Sequence, residues 1–561
     1  MKSLISKTGL FTFFFVSLST LSSLAQRPEF NRPQTFDAQH YTIRAAFDRA
    51  NKKVLGDTTV TLRPLKSDFR IIELDAVDLA MESVKLEPSG IDLRHKSAGG
   101  KVAVTLDRAY EPGDLISIRL KYTASPKKGV YFVAAEGDRH SAQIWTQGEP
   151  DEARHWFPSF DFPSDKATTE QYLTVERGES VIGNGEFLGK VENADRTDTW
   201  HYRMPVPHTT YLVSFVIGKY VKIDDRYKDI PLGFYVYPGK EATGRKAFGE
   251  TREMMRIFEG QTGVAFPYSK YDQTVVASFQ FGGMENITAT TMSDNEIFLA
   301  DFDFGKDLVT DLVSHELAHS WFGNLVTCRN WAELWLNEGF ATFMEAVYRE
   351  KAVGRADYLR KIRSDAGEFL VNDAVNRRRH ALYNQRAGNV GSLFDNASTT
   401  YHKGGAVIHT LREQVGNEAF WKAVNIYLNR HKFGSVESTD LRHAMEETSG
   451  QNLEWFFDQW VYKAGSPRLD VRSAYSIRTK MVTLTVTQTQ GLDALTPTAF
   501  RLPMEVVIKS GGGESRHPLE ITKRVQSFTF KSPVRPSEII LDDQEKVPLK
   551  QVKIRPTVMV R

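Results

Sequence analysis

The chain has 561 residues, of which 41% are hydrophobic and 25% charged, a composition that excludes both a disordered scaffold and a chain built of membrane spans. This length exceeds what one hydrophobic core organises, so two to four domains are expected. The formal charge is +2 and falls to zero without residues 1–25, whose only charged residues are Lys2 and Lys7, so nothing electrostatic points to nucleic acid.

Those two lysines precede the uncharged stretch from Gly9 to about Val16, and the small-residue site Ser23-Leu24-Ala25 follows. The pattern predicts a signal peptide over residues 1–25, cleaved after Ala25, and therefore a periplasmic or secreted protein with no stable membrane insertion afterwards. An uncleaved anchor is the alternative, but the apolar part is shorter than the roughly 20 residues that span a bilayer. The single cysteine, Cys328, cannot form an internal disulfide and is expected to be a packed thiol.

From residue 26 to 235 the text alternates with the period of half-buried strands, as in Thr58-Thr59-Val60-Thr61-Leu62 and Ile71-Ile72-Glu73-Leu74, and predicts an all-β domain. Between residues 236 and 463 the period lengthens, and helices are expected near Glu250–Glu259, Lys306–Gly323 and Ala332–Tyr348. Alternation returns over residues 464–561, where Gly511-Gly512-Gly513 reads as a hairpin loop inside a small β-sandwich. The expected fold class is thus multidomain α+β, with a mostly helical middle between two β-rich parts.

Chemistry concentrates in that middle. In His315-Glu316-Leu317-Ala318-His319 the two imidazoles stand one helical turn apart and can grip one ion, a spacing that suits zinc. A catalytic zinc needs a third protein ligand, and Glu338 in Trp335-Leu336-Asn337-Glu338-Gly339 supplies a carboxylate inside an apolar run where an unpaired charge would be costly. Glu316, one residue from a ligand, points beside the ion and is the expected general base. One Zn2+ per chain is expected, and no Ser or Cys nucleophile is needed.

The run His315 to Asn324, HELAHSWFGN, followed by WLNEG at Trp335–Gly339 resembles the M1 aminopeptidases of the gluzincin group. Phe281-Gly282-Gly283-Met284-Glu285-Asn286 is similar to that family's GxMEN motif and follows the family-like Phe266 to Asp272. The resemblance implies a thermolysin-like catalytic domain and hydrolysis of the N-terminal bond of peptides that carry a free amine. It further implies that Glu285, with Glu149 from Thr146-Gln147-Gly148-Glu149, anchors that amine through charge-assisted hydrogen bonds. Gly282, Gly283 and Met284 would accept an extended peptide as an added strand. Tyr401 in Tyr401-His402-Lys403-Gly404 resembles the family tyrosine that stabilises the tetrahedral oxyanion.

Two departures bear on substrate preference. Phe162 stands where the family commonly has an acid, and Ile287–Thr291 differs from the tryptophan-containing sequence that usually follows GxMEN. The alternatives are a thermolysin-like endopeptidase, against which Glu149 and Glu285 argue, and a noncatalytic peptide-binding protein on the same fold. Oligomeric state and side-chain preference are not encoded in these motifs.

Overall fold

A computed structural model describes residues 27–376, 378–511 and 513–560, so the expected signal peptide lies outside the described residues. The strand Lys53–Pro64 shows how the first domain is built: Val54, Gly56, Thr58, Val60 and Leu62 face inward while the residues between them face out or sit half-buried. Its neighbour Phe36–Asp48 pairs with it antiparallel and with Ala167–Glu176 parallel, at the heart of an eight-stranded sheet. Inward residues such as Ile43, Val60, Ile118, Val102 and Val104 form one cluster, closed by a three-stranded and a four-stranded sheet. The all-β expectation for this part holds.

The four-stranded sheet matters for function because its buried strand Gln143–Thr146 runs straight into Glu149. Trp145 Nε1 donates to the Ala277 carbonyl at 3.2 Å and Asn184 Nδ2 to the Ile287 carbonyl at 2.8 Å, pinning this sheet to the middle of the chain. Gly148 is needed there, since a Cβ would lie 2.1 Å from the Tyr211 carbonyl oxygen.

The middle contains a five-stranded sheet of β1 (Val221–Tyr227), β2 (Ile230–Val236), β3 (Tyr271–Val276), β4 (Gly283–Met284) and β5 (Ala289–Ser293), in the order β1-β2-β3-β5-β4. Strands β1 and β2 come from the β-rich text before the helices, yet β2 pairs in parallel with β3, Leu232 beside Tyr271. Local periodicity reveals a strand but not its partner. Strand β4 is the edge and runs antiparallel to β5, with Gly283 opposite Met292.

Four helices carry the site: α1 (Lys306–Ala318), α2 (Trp335–Ala352), α3 (Arg355–Val375) and α4 (Gly404–Val415). Helix α1 buries Val309, Val313 and Leu317 at i, i+4, i+8 and has Asp307 in its first turn, where a negative charge suits the helix dipole. It stops at Ala318, short of the expected Gly323. His319 keeps helical geometry as its cap, and the chain then turns through Gly323 at φ 131°, a region open to glycine. Helix α2 is buried along the whole of Trp335–Arg349 and is the axis of the middle region.

After residue 464 a five-stranded sheet around Arg468–Ser476 and Met481–Gln488 accompanies a three-stranded one around Leu502–Ser510. The expected hairpin forms, with Leu502–Ser510 antiparallel to Gly513–Ile521. These sheets share the core of the helical middle: Val547 and Leu549 belong to the same cluster as Trp335 and Phe343, and the Trp460 and Phe500 rings lie 5.2 Å apart. The α+β architecture is the one expected. Among the described residues no helix is long and apolar enough to cross a membrane.

Candidate active site

Helix α1 places His315 and His319 with ring centroids 4.8 Å apart. Each ring has its Nδ1 engaged on the far side: His315 Nδ1 faces Glu345 Oε1 at 2.7 Å and His319 Nδ1 faces the Phe322 carbonyl at 2.8 Å. A proton held at Nδ1 leaves the Nε2 lone pair of each ring free to bind an ion. Glu338 Oε2, from α2, lies 3.2 Å from one Nε2 and 3.4 Å from the other. Ligands at zinc bond lengths of ~2.0–2.1 Å in a tetrahedron stand about 3.3 Å apart, so spacing and donor types both fit zinc.

The electrostatics fit as well. Burial opposes the charge of Glu338, but the two histidines overcome it and hold the carboxyl down at about 2. Burial also opposes the charge of His315, while Glu338 and Glu345 carry it up to about 9. Without an ion the carboxylates draw protons onto the histidines, and a dication would take the place of that positive charge.

Glu316 occupies the flank of this triangle. Its Oε2 is buried and has no hydrogen-bond partner, and burial pushes its carboxyl up to about 8 against the pull of His315 and His319. A carboxyl held near neutrality can both take and return a proton. Gly283 is glycine for this neighbour, because a Cβ on it would lie 2.2 Å from Glu316 Oε1. The sequence alone relates that glycine only to a passing substrate; the structure adds the general-base candidate as a second reason.

Glu149 and Glu285 arrive from different domains, one after the strand Gln143–Thr146 and the other after edge strand β4. Carboxylate oxygens of Glu149, Glu285 and Glu338 all lie within 4.8 Å of one another. Burial, then mutual repulsion, raises Glu149 well above the usual carboxylate range, and burial raises Glu285 too. One oxygen of Glu149 is buried without a partner, while Tyr211 Oη donates to Glu285 Oε1 at 3.4 Å. Such a pair is completed by a cationic hydrogen-bond donor.

Tyr401 sits in a π-helical turn, Thr399–Lys403, that leads into α4, and its ring lies nearly parallel to that of His315 at 5.9 Å. A π-turn in a helix is a frequent device for aiming one side chain into a site. Glu149, Gly282, Gly283, Met284, Glu285, His315, Glu316, His319, Glu338 and Tyr401 therefore all line one cleft of about 460 Å3. No residue singled out for chemistry lies elsewhere.

The structure gives a place in the site to residues to which motif reading assigned no role. Glu345 grips His315 from behind, and Gln147 lines the cleft with its Nε2 3.2 Å from Met284 Sδ. Phe281 and Phe394, ring centroids 6.1 Å apart, wall the cleft on its apolar side. Glu345 is seven residues beyond Glu338, so both fall on one side of α2; that helical spacing was the available signal.

Comparison with known proteins agrees with this geometry. Residues 37–212 match the profile described as the Peptidase M1 N-terminal domain, and residues 246–460 match the Peptidase family M1 domain. The chain is 28% identical over 459 residues to "Aminopeptidase 2" of Candida albicans, covering 78% of this chain and 48% of that protein. It is 29% identical over 415 residues to "Probable aminopeptidase 1" of Saccharolobus solfataricus, covering 73% and 52% respectively. With "Aminopeptidase N" of Streptomyces lividans the identity is 32% over 357 residues, covering 58% and 38%. The chain thus spans about half the length of the curated relatives it matches. With both profiles matched in order along most of its length, the chain belongs to peptidase family M1.

Proposed function

We propose that the chain is a zinc-dependent aminopeptidase that hydrolyses the N-terminal bond of peptides. The observation that carries this reading is the convergence of Glu149 and Glu285 beside the His315, His319 and Glu338 donors, all within one cleft. An enzyme that cuts within a chain has no use for two buried acids at that point, whereas a substrate α-ammonium matches them in charge and in hydrogen-bond donors.

When bound, a zinc ion held by His315, His319 and Glu338 would polarise the scissile carbonyl and acidify a water molecule. The remaining work falls to the chain. Glu149 and Glu285 hold the substrate amine and so set the distance from terminus to scissile bond. Edge strand β4 offers its unpaired backbone to an extended peptide. Glu316 takes the proton of the attacking water and returns it to the departing amine. Tyr401 donates its phenolic hydrogen to the oxygen that becomes negative as the carbonyl turns tetrahedral.

The test is hydrolysis of aminoacyl fluorogenic amides beside their N-acetylated counterparts, with and without a zinc chelator. Chelator-sensitive release from the free-amine substrates alone is expected. Turnover of acetylated substrates would establish an endopeptidase, and metal-bound protein silent on every substrate would leave a peptide-binding role. The basic and apolar start of the chain supports export as part of the same proposal. Fractionation of cells producing the full chain checks it, with recovery in the cytosol as the contrary result.

A further inference from the structure

Behind His315 lies an array of charge, mostly buried and reaching the surface at Asp307, that none of the motifs includes. Helix α1 carries Asp307, Asp311 and His315 at four-residue intervals, and α3 carries Asp357, Lys361 and Asp365 at the same interval. Residues four apart share a helix face, so each helix presents a stripe of charge. Helix α2 fills the space between with Glu345 and Arg349. Arg349 grips Asp311 through two hydrogen bonds of 2.7 and 2.8 Å and also reaches Asp307 at 3.1 Å.

Lys361 is the member closest to the site. Its ammonium lies 2.7 Å from Glu345 Oε2, 2.7 Å from Asp365 Oδ1 and 3.9 Å from Asp311 Oδ2, and its side chain is 11% exposed. Glu345 spends its other oxygen on His315 Nδ1, at 2.7 Å. The carboxylate is therefore held at both ends, by an imidazole on one side and an ammonium on the other. Asp311 would keep Arg349, but removing the ammonium would leave Glu345 and Asp365 without a cation between them, and their repulsion would drive the Glu345 carboxylate off its position. The His315 ring would then lose the contact that fixes its plane.

We infer that Lys361 is a positioning residue for the metal centre: acting through Glu345, it orients His315 so that Nε2 meets the ion together with His319 and Glu338. This inference rests on the proposed zinc site and extends it to a helix outside the recognised motifs. A partner behind a metal-bound histidine is commonly worth ~10–100-fold in metal affinity. Lys361 acts one contact further out and inherits that effect to the extent that Glu345 depends on it.

The experiment measures binding of Zn2+ and Co2+ to metal-free full-chain protein by competition with a chromogenic chelator, and records the Co2+ absorption bands. In Lys361→Met, zinc affinity is expected to fall ~10–100-fold and the Co2+ bands to shift, with the near-ultraviolet circular dichroism of the metal-free protein unchanged. Lys361→Arg should restore most of the affinity. Combining Lys361→Met with Glu345→Gln should cost no more than Glu345→Gln alone, because both act on one contact. If the Met variant loses its near-ultraviolet spectrum, Lys361→Gln takes its place in the same comparison. Wild-type affinity and Co2+ bands in the neutral variants, or losses that multiply in the double variant, would overturn the inference. Wild-type protein that binds neither ion would instead overturn the zinc site itself, and the two failures are distinct.

Discussion

The helical middle and the first β-domain both bury ionisable groups, and in each some are paired with an opposite charge while others are not. In the middle, charges are kept and paired across helices: Asp311 with Arg349, Glu345 with Lys361, Glu338 with two histidines. In and beside the first domain's main sheet Asp161 pairs with Arg154 and Asp198 with Arg177 and Lys190, while other groups lack an opposite charge and drift towards neutrality. Burial pulls His208 down to about 4 and Lys166 down to about 7, and burial then Asp37 pushes Asp165 up to about 8. Lys166 has backbone carbonyls of Asn324 and Leu325 as partners where Lys361 has carboxylates. The contrast between Lys361 and Lys166 teaches what a partner's charge decides. An opposite charge alongside favours the ionised form of a buried group, and burial without one drives it towards neutrality.

The largest expected effect sharpens that contrast at its centre. Glu316→Gln should lower hydrolysis of aminoacyl amides by ~10^2–10^4-fold while leaving zinc content and melting temperature close to those of the wild type. A variant that kept most of its activity would make this buried acid no more than packing, like Asp165 in the first domain.

Next comes the ladder behind the site. Arg349→Met should lower stability by about 3 kcal/mol in a urea titration, because it strands buried Asp311 among other acids. A pair of almost the same geometry provides the control: Arg555 reaches Asp470 through bonds of 2.8 and 3.0 Å, but its side chain is 43% exposed. Arg555→Met should leave the urea midpoint unchanged, since exposed ion pairs contribute little. Equal losses from the two variants would break the argument that burial, not geometry, sets the worth of these pairs.

The smallest effect concerns pH and the discharged interior. The folded pKa of His208, about 4, lies below that of an exposed imidazole, because the ring is buried and the Val206 carbonyl compensates only in part. The stability this neutral ring represents is complete above the unfolded value of about 6.5 and declines as the pH falls through the window towards 4, by about 2–3 kcal/mol. Urea midpoints taken at about pH 7 and about pH 4.5 should converge in His208→Gln relative to the wild type. An unchanged pH dependence would show that His208 charges without cost.

How much of this was legible in the sequence follows from the range of each interaction. His315, Glu316 and His319 lie within one helical turn or so, and Glu338 follows on the next helix, so short spacing carried the metal triangle. Glu149, Glu285 and Tyr401 have no local signature and were reached only through resemblance to a family, because what unites them is the closing of two domains and a π-turn on one cleft. Lys361 was invisible, and Glu345 signalled only by its spacing from Glu338, for a different reason. Each is an ordinary charged residue on its own helix, and their meaning appears only when three helices pack face to face. Strands β1 and β2 were readable as strands, but which sheet they join depends on β3, whose pairing with β2 no local pattern announces.

The two apolar clusters also differ in when they can be completed as the chain leaves the ribosome. The first domain's cluster is built from residues up to Ile217, so its interior is available to close early in synthesis. The cluster around α2 draws on Val547 and Leu549, more than two hundred residues after His315 and His319 have been made. The helices that carry His315, His319 and Glu338 complete their packing only when the C-terminal sheets arrive, and under the proposed function a metal ion captured before that moment would meet a site whose supporting walls are unfinished.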